Sequence, residues 1–244
     1  MLPWLLPVLG FLIGSIPFGL LIAKASGVDI RQHGSGNIGA TNVMRTLGKG
    51  PGIFCLLLDL LKGFVPVVLA INLVRFGDHH PGIPLAFLSN LTSPLGADQQ
   101  LLVQSIHVLT ALAAILGHNY SPWIGFKGGK GIATSAGALL GLMPAAVVIL
   151  VLIWIITLRT THYVSLASMA AAVALPIMTH LGARFHHLEN DKSLPTLWEA
   201  GTWNKPLLAF AILAGVMAIW RHRANIARIR SGTENKSWVK KKTN

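Results

Sequence analysis

The sequence predicts an all-α, polytopic membrane protein of seven transmembrane helices, two of them short, with the N-terminus outside and the C-terminus in the cytoplasm. Three observations lead there. Of 244 residues, 52% are hydrophobic and only 11% charged, whereas a soluble domain carries roughly a quarter charged residues. The apolar residues come in blocks long enough to cross a hydrocarbon core of about 30 Å as helices. Fifteen of the twenty Lys and Arg residues fall in four places, 24–52, 118–131, Arg159 and 221–244, and positive charge collects in the cytoplasmic loops of such chains.

The first block, 3–23, has no basic residue before its apolar run and no evident cleavage site, so it reads as a mature span and not a signal peptide. Blocks 53–75, 101–117, 162–182 and 206–220 are each bounded by Gly, Pro or charge. Block 132–158 sets the helix count. Segment 118–131 and Arg159 can both face the cytoplasm only if the chain between them crosses an even number of times. Gly141-Leu142-Met143-Pro144 supplies the break, since Pro lacks a backbone donor and disfavours helix at the residue before it. The expected pair is 132–142 and 145–158, each too short for a full-thickness span. Irregular backbone at that depth must be buried in protein or line a wet cavity.

The acidic residues agree with this orientation: Asp78, Asp98, Glu189, Asp191 and Glu199 lie in the opposite set of loops, and only Asp29 and Glu234 accompany the basic segments. The single cysteine, Cys55, excludes a disulfide framework and a Cys-based metal site. Residues 1–244 read as one integral membrane domain. The net charge of +12 suits a basic cytoplasmic rim drawn to anionic lipid heads, Lys240-Lys241-Lys242 included; no soluble basic domain is present to bind nucleic acid.

Three polar motifs then fall on the cytoplasmic side. The first, Gly34-Ser35-Gly36-Asn37-Ile38-Gly39-Ala40-Thr41-Asn42-Val43-Met44-Arg45, combines glycines with the donors Ser35, Asn37, Thr41, Asn42 and Arg45, the chemistry for an anion or a polyol. No buried strand precedes it, so its Gly34-x-Gly36-x-x-Gly39 is not a dinucleotide fingerprint. The second runs from Gly117 and His118 through Lys127-Gly128-Gly129-Lys130-Gly131 to Ile132 and Thr134. Its glycines and lysines lead into a helix N-terminus, where unpaired amides and the dipole favour phosphate. Gly131 stands where a Walker loop needs Ser or Thr for magnesium, and the spacing from Gly125 is one residue short. The third runs from Arg221-His222-Arg223 through Asn225 and Arg228 to Gly232 and Glu234. On one continuous helix Arg221, Asn225 and Arg228 would share a face.

Smaller features have structural readings. Asp59 and Lys62, one turn apart inside a span, would neutralise each other and brace the motifs. Ser165 stands open between donating to a phosphate and satisfying its own helix. Gly10-x-x-x-Gly14 reads as close helix packing. His79-His80 and His186-His187 fall in outer loops, and His186-x-x-x-x-Asp191 lies away from every phosphate motif and is taken as chance.

In this order, each beside a span, the motifs resemble the bacterial membrane acyl-phosphate:glycerol-3-phosphate acyltransferase family. GSGNIGATN with Arg45, GHNYSPWIGFKGGKGIAT, Asp59-x-x-Lys62-Gly63, Ser165 in YVSLAS, and His222-x-x-Asn225-x-x-Arg228 with Gly232 and Glu234 carry the likeness. Loops 76–100 and 183–205 look long for it. The resemblance implies acyl transfer from acyl phosphate to the 1-hydroxyl of sn-glycerol 3-phosphate in the inner membrane, with the active site facing the cytoplasm and without metal or cofactor. Expected partners are the two substrates, membrane lipid and the soluble enzyme that makes acyl phosphate. Ser35, Arg45, Lys130, His222 and Asn225 are the expected catalytic residues. Gly36, Asn37, Thr41, Asn42, His118, Lys127, Gly128, Gly129, Gly131, Thr134, Ser165, Arg221, Arg228 and Glu234 are expected to bind substrate or phosphate. A transporter of organic phosphates is the rival, but it would need access from both sides and a pseudo-repeat between halves, and no repeat is visible.

Overall fold

The computed structural model describes residues 2–76, 83–191 and 205–237. Lys240-Lys241-Lys242, His79-His80 and the stretch 192–204 of the second long loop lie outside them. Ten α-helices are described in chain order: α1 Leu2–Gly14, α2 Phe18–Ala25, α3 Ala40–Leu47, α4 Lys49–Leu73, α5 Gln100–Asn119, α6 Ile132–Leu142, α7 Pro144–Thr161, α8 Val164–Asp191, α9 Lys205–Arg221 and α10 Arg223–Arg230. Among the described residues five segments are long and apolar enough to cross a membrane, and α9 with α10, bent by 51°, makes a sixth. The surfaces of these helices are apolar: Leu5, Val8 and Leu12 on α1, Leu152 and Ile156 on α7 and Val216 on α9 are exposed, as helices facing lipid require.

The chain forms two compact units, 1–144 and 145–244. In the first, small residues let helices touch backbone to backbone. A side chain at Gly14 would collide with the carbonyl of Ala114, and one at Gly117 with that of Phe11, so α1 and α5 lie in direct contact. Gly63 against Thr134 and Gly137 against Leu60 do the same for α4 and α6. The Gly10-x-x-x-Gly14 reading is thereby realised, with Gly10 beside Thr110. In the second unit α8 and α9 pack together, Gly215 meeting Ala172, and Trp154 of α7 donates to Ser168 of α8 at 3.2 Å.

Several expectations are corrected. The first span is not one continuous helix: it breaks at Ser15–Pro17, because Pro17 has no N–H to carry the ladder through. The break after α6 falls where Met143 and Pro144 put it. However, α7 has 18 residues and is long enough for a span, so only α6 is short. Residues 183–191, expected in a loop, continue α8, which places His186-x-x-x-x-Asp191 on a helix. Beyond α4, strands β1 Val74–Phe76 and β2 Ser93–Leu95 pair in parallel, a short element that the apolar pattern does not announce.

The interruption of the first span is closed by side chains. Lys62 of α4 donates to the Ile16 carbonyl at 2.7 Å, Ser121 donates to the Ser15 carbonyl at 2.6 Å, and Trp123 Nε1 donates to Ser15 Oγ at 2.7 Å. Lys62 is in turn held by Asp59 at 2.8 Å, both side chains buried. The pair thus neutralises itself and braces a break in the backbone.

Overpacking a close helix crossing costs roughly 1–3 kcal/mol. Gly14→Val and Gly137→Val should each lower the melting temperature of the detergent-solubilised protein by that equivalent or more. Gly182→Ala, whose new methyl meets nothing within 4 Å, should leave it unchanged.

Candidate active site

In the first unit the motif 34–45 folds around one side chain. Asn42, on α3 and 2% exposed, accepts from the Ser35 N–H at 2.8 Å and donates to the carbonyls of His33 and Asn37, each at 2.9 Å. Its polar atoms are spent on the loop itself, so it builds the site where the sequence suggested a ligand contact. Gly34, at φ 60°, has no room for a side chain because Asn42 Oδ1 occupies it. Asn37 likewise turns inward, accepting from the Gly39 N–H at 2.8 Å. Just before the loop, hydrogen bonds from the Arg31 side chain and backbone hold the Asp29 carboxyl down at about 2. With Asn42 and Asn37 holding the loop, Ser35, Thr41 and Arg45 stay exposed on its outer side.

The second motif lies on the end of α5. The Gly128 N–H donates to the Asn119 carbonyl at 3.2 Å and the Gly129 N–H to that of His118 at 3.1 Å. A side chain at Gly128 would strike the His118 carbonyl and one at Gly129 the His118 ring. These glycines are therefore demanded by packing as much as by any ligand. Gly131, at φ 82°, then turns the chain into α6, whose first-turn amides and positive dipole end form an anion-favouring terminus. Lys130 is half-buried beside it and Lys127 is exposed. Thr134 Oγ1 and the Asn119 carboxamide are buried without a hydrogen-bond partner among the described residues. Ile124 packs on the cluster of Leu20, Ile30, Ile38, Val43 and Cys55, which ties the second motif to the first. His118 sits beneath the loop, 3% exposed, with Nδ1 3.6 Å from Asp59; it belongs to the buried charged node and not to the exposed face.

In the second unit one carboxylate gathers the third motif. Gly232, at φ 71°, reverses the chain after α10, so Glu234 returns to its own helix. Glu234 Oε1 accepts from Ser165 Oγ at 2.7 Å and from Asn225 Nδ2 at 2.6 Å, and Oε2 accepts from Arg228 Nε at 2.7 Å. Burial alone would raise this carboxyl, but the hydrogen bonds from Asn225, Ser165 and Arg228, with the charge of Arg228, hold it below its ordinary value. Ser165 thus gives its one hydrogen to Glu234. The 51° bend between α9 and α10 also removes the single shared face: Arg221 ends one helix and Asn225 lies on the next. At the bend His222 is buried, its Nδ1 2.7 Å from the Ala218 carbonyl. A carbonyl only accepts, so Nδ1 carries a proton.

Asn42, His118 and Glu234, expected to bind substrate or phosphate, are engaged with the protein itself; Asn119, Ser15 and Trp123 were not among the residues the sequence singled out. A buried-site serine just before Pro17 and a tryptophan inside the second motif were the available signals.

Comparison with known proteins identifies the family. The family model for glycerol-3-phosphate acyltransferase matches residues 4–232. A glycerol-3-phosphate acyltransferase of Geotalea daltonii is 40% identical over 225 residues, 92% of each chain; one of Geobacter sulfurreducens is 40% identical over 95% of this chain and 96% of that one. The crystal structure of PlsY (YgiH), an integral membrane glycerol 3-phosphate acyltransferase, in its glycerol 3-phosphate form superimposes with a TM-score of 0.71 at 33% identity, covering 97% of this chain and 96% of that chain. Its lysophosphatidic acid form gives 0.71 at 32% identity, covering 97% and 95%.

A carboxyl held below its ordinary 4.5 stabilises the fold fully above that value and loses the effect as the pH falls through the lower folded-state value. Glu234→Gln should therefore melt below the parent protein at neutral pH. The two melting curves should draw together on acidification below 4.5.

Proposed function

The chain belongs to the glycerol-3-phosphate acyltransferase family, and from that premise we propose that it transfers a fatty acyl group from acyl phosphate to the 1-hydroxyl of sn-glycerol 3-phosphate. The products are lysophosphatidic acid and inorganic phosphate, in the entry step of phospholipid synthesis. The observation that carries this reading is the second motif. A glycine loop with Lys127 and Lys130 delivers the chain to the N-terminus of α6, a place for a phosphate, on a protein whose long helices expose apolar side chains.

Acyl phosphate is a mixed anhydride with a good leaving group, so no acyl-enzyme is needed. In this mechanism the glycerol hydroxyl oxygen attacks the acyl carbon, the bond from that carbon to the phosphate oxygen breaks, and phosphate departs with the electron pair. Gly128, Gly129, Gly131 and the start of α6 cradle one phosphate, Lys130 counters its charge and Lys127 assists. Ser35, Arg45, His222 and Asn225 hold the glycerol phosphate or orient its hydroxyl. A phosphate with second pKa of about 6 takes the hydroxyl proton at neutral pH, which makes catalysis substrate-assisted; His222 Nε2 is the alternative base.

The topology that fits is seven helices in one functional domain, N-terminus outside and C-terminus inside, in the bacterial cytoplasmic membrane with the site on the cytoplasmic face. The soluble enzyme that makes acyl phosphate is the expected donor-side partner.

Purified protein given palmitoyl phosphate should release phosphate and form lysophosphatidic acid in equal amounts only when glycerol 3-phosphate is added, without acyl-CoA, acyl carrier protein or metal. Folded protein that binds glycerol 3-phosphate yet forms no product would remove acyl phosphate as the donor. Loss of a positioned cation costs about 10²–10³ in rate, so Lys130→Ala and Arg45→Ala should each approach inactivity. His222→Ala retaining most of the rate would favour the substrate phosphate as base, and its collapse would favour His222.

A further inference from the structure

In the connection between α4 and α5, residues 83–97 include no Asp, Glu, Lys, Arg or His, although a soluble domain carries roughly a quarter charged residues. The end of α4 holds this segment in place. Asn72 Nδ2 donates to the Ile83 carbonyl at 3.0 Å and Asn72 Oδ1 accepts from the Leu85 N–H at 2.8 Å, so one carboxamide clamps the backbone on both sides of Pro84. Arg75 Nη2 donates to Thr92 Oγ1 at 2.6 Å. From there β2 pairs with β1, and Leu95 packs on the buried cluster of Leu6, Ala70, Val74, Val103 and Ile106.

The segment is apolar on both sides. Its 3₁₀ turn, Ala86–Leu91, buries Leu88, while Phe87 is 75% exposed, Leu91 61% and Ile83 45%. Phe54 and Leu57 on the surface of α4 are 55% and 52% exposed, so the turn is as bare as a helix that faces lipid. A clustered apolar surface of this kind marks an interaction site. Its depth follows from α4. Gly52 meets Met44 of the motif 34–45, and Asn72 stands twenty residues further along the same helix, about 30 Å away at about 1.5 Å per residue, which is the thickness of a hydrocarbon core. Arg75, just beyond the span, belongs at the level of the headgroups, where long cationic side chains near helix ends reach. We propose that Ile83, Phe87 and Leu91 insert into the bilayer at the membrane face opposite the motif 34–45, making 83–91 a lipid-seated cap on the ends of α4 and α5. Phospholipid is the occupant because the exposed side chains continue the apolar surface of α4 at the point where the helix meets the headgroups. Such an apolar face sinks about 5–10 Å into the headgroup–acyl boundary.

The test reads depth directly. A fluorophore is attached to Phe87→Cys, and separately to Leu91→Cys, in full-length Cys55→Ala protein reconstituted alone in phosphatidylcholine vesicles. The same label on Leu61→Cys, exposed near the middle of α4, gives the lipid limit, and labelled glutathione gives the water limit. Lipids brominated near the headgroup end of their acyl chains should quench the Phe87 and Leu91 labels severalfold more than lipids brominated near the methyl end, with the opposite order at Leu61. Iodide equilibrated across the vesicles should quench both labels severalfold less than it quenches labelled glutathione. Iodide quenching equal to that of labelled glutathione, with none by brominated lipid, would put the turn in water and overturn the proposal. Protection from both quenchers would overturn it as well, since the face would then be covered by a second copy of the chain. The two labels are independent readings, so if one variant fails to fold the other decides.

Discussion

Backbone that leaves a helix inside a bilayer must find its hydrogen-bond partners in protein, and the interruption at Ser15–Pro17 finds them in Lys62, Ser121 and, through the Ser15 hydroxyl, Trp123. The rest of the first unit depends on this closure. Lys62 can cap the Ile16 carbonyl at 2.7 Å only because Asp59 keeps its charge company. Asp59 can stay buried only because Lys62 and His118 stand beside it. His118 in turn lies under Gly129, so the charged node and the phosphate-favouring loop are built on the same few atoms. Ser121 and Trp123 fix the other end of that loop to the broken span.

The same economy of donors and acceptors governs the two remaining motifs. Asn42 carries the motif 34–45 by supplying one acceptor and two hydrogens to four backbone groups that a glycine-rich turn would leave unmet. Glu234 carries the third motif by collecting Ser165, Asn225 and Arg228 on two oxygens. In both cases the polar residue that looks most like a ligand contact is used to shape the site. Ser35, Arg45 and Lys127 are the polar groups left facing outward.

The apolar blocks and the polar motifs were legible because each is a local property. The break between α6 and α7 followed from Met143-Pro144, and the helical packing of Gly10 and Gly14 from their spacing. The break of the first span was equally written in Pro17, but an apolar block that long reads as one helix until its partners are known. The parallel pairing of Val74–Phe76 with Ser93–Leu95 has no periodic signature at three residues a side. The bend at His222 is set by the Ala218 carbonyl and the start of α10, so a helical wheel drawn through Arg221, Asn225 and Arg228 described a helix that the chain does not make.

By itself the sequence determined that this is a helical membrane protein with three cation- and glycine-bearing motifs. Hydropathy, charge placement and residue type are sums over neighbours along the chain. Only the tertiary structure decided which polar side chains are spent on the protein and which are offered to a ligand. Those bonds join residues as far apart as 46 positions for Lys62 and Ile16, 106 for Ser121 and Ser15, and 69 for Ser165 and Glu234. A buried donor or acceptor must be paired wherever its partner lies, and no local pattern records where that is.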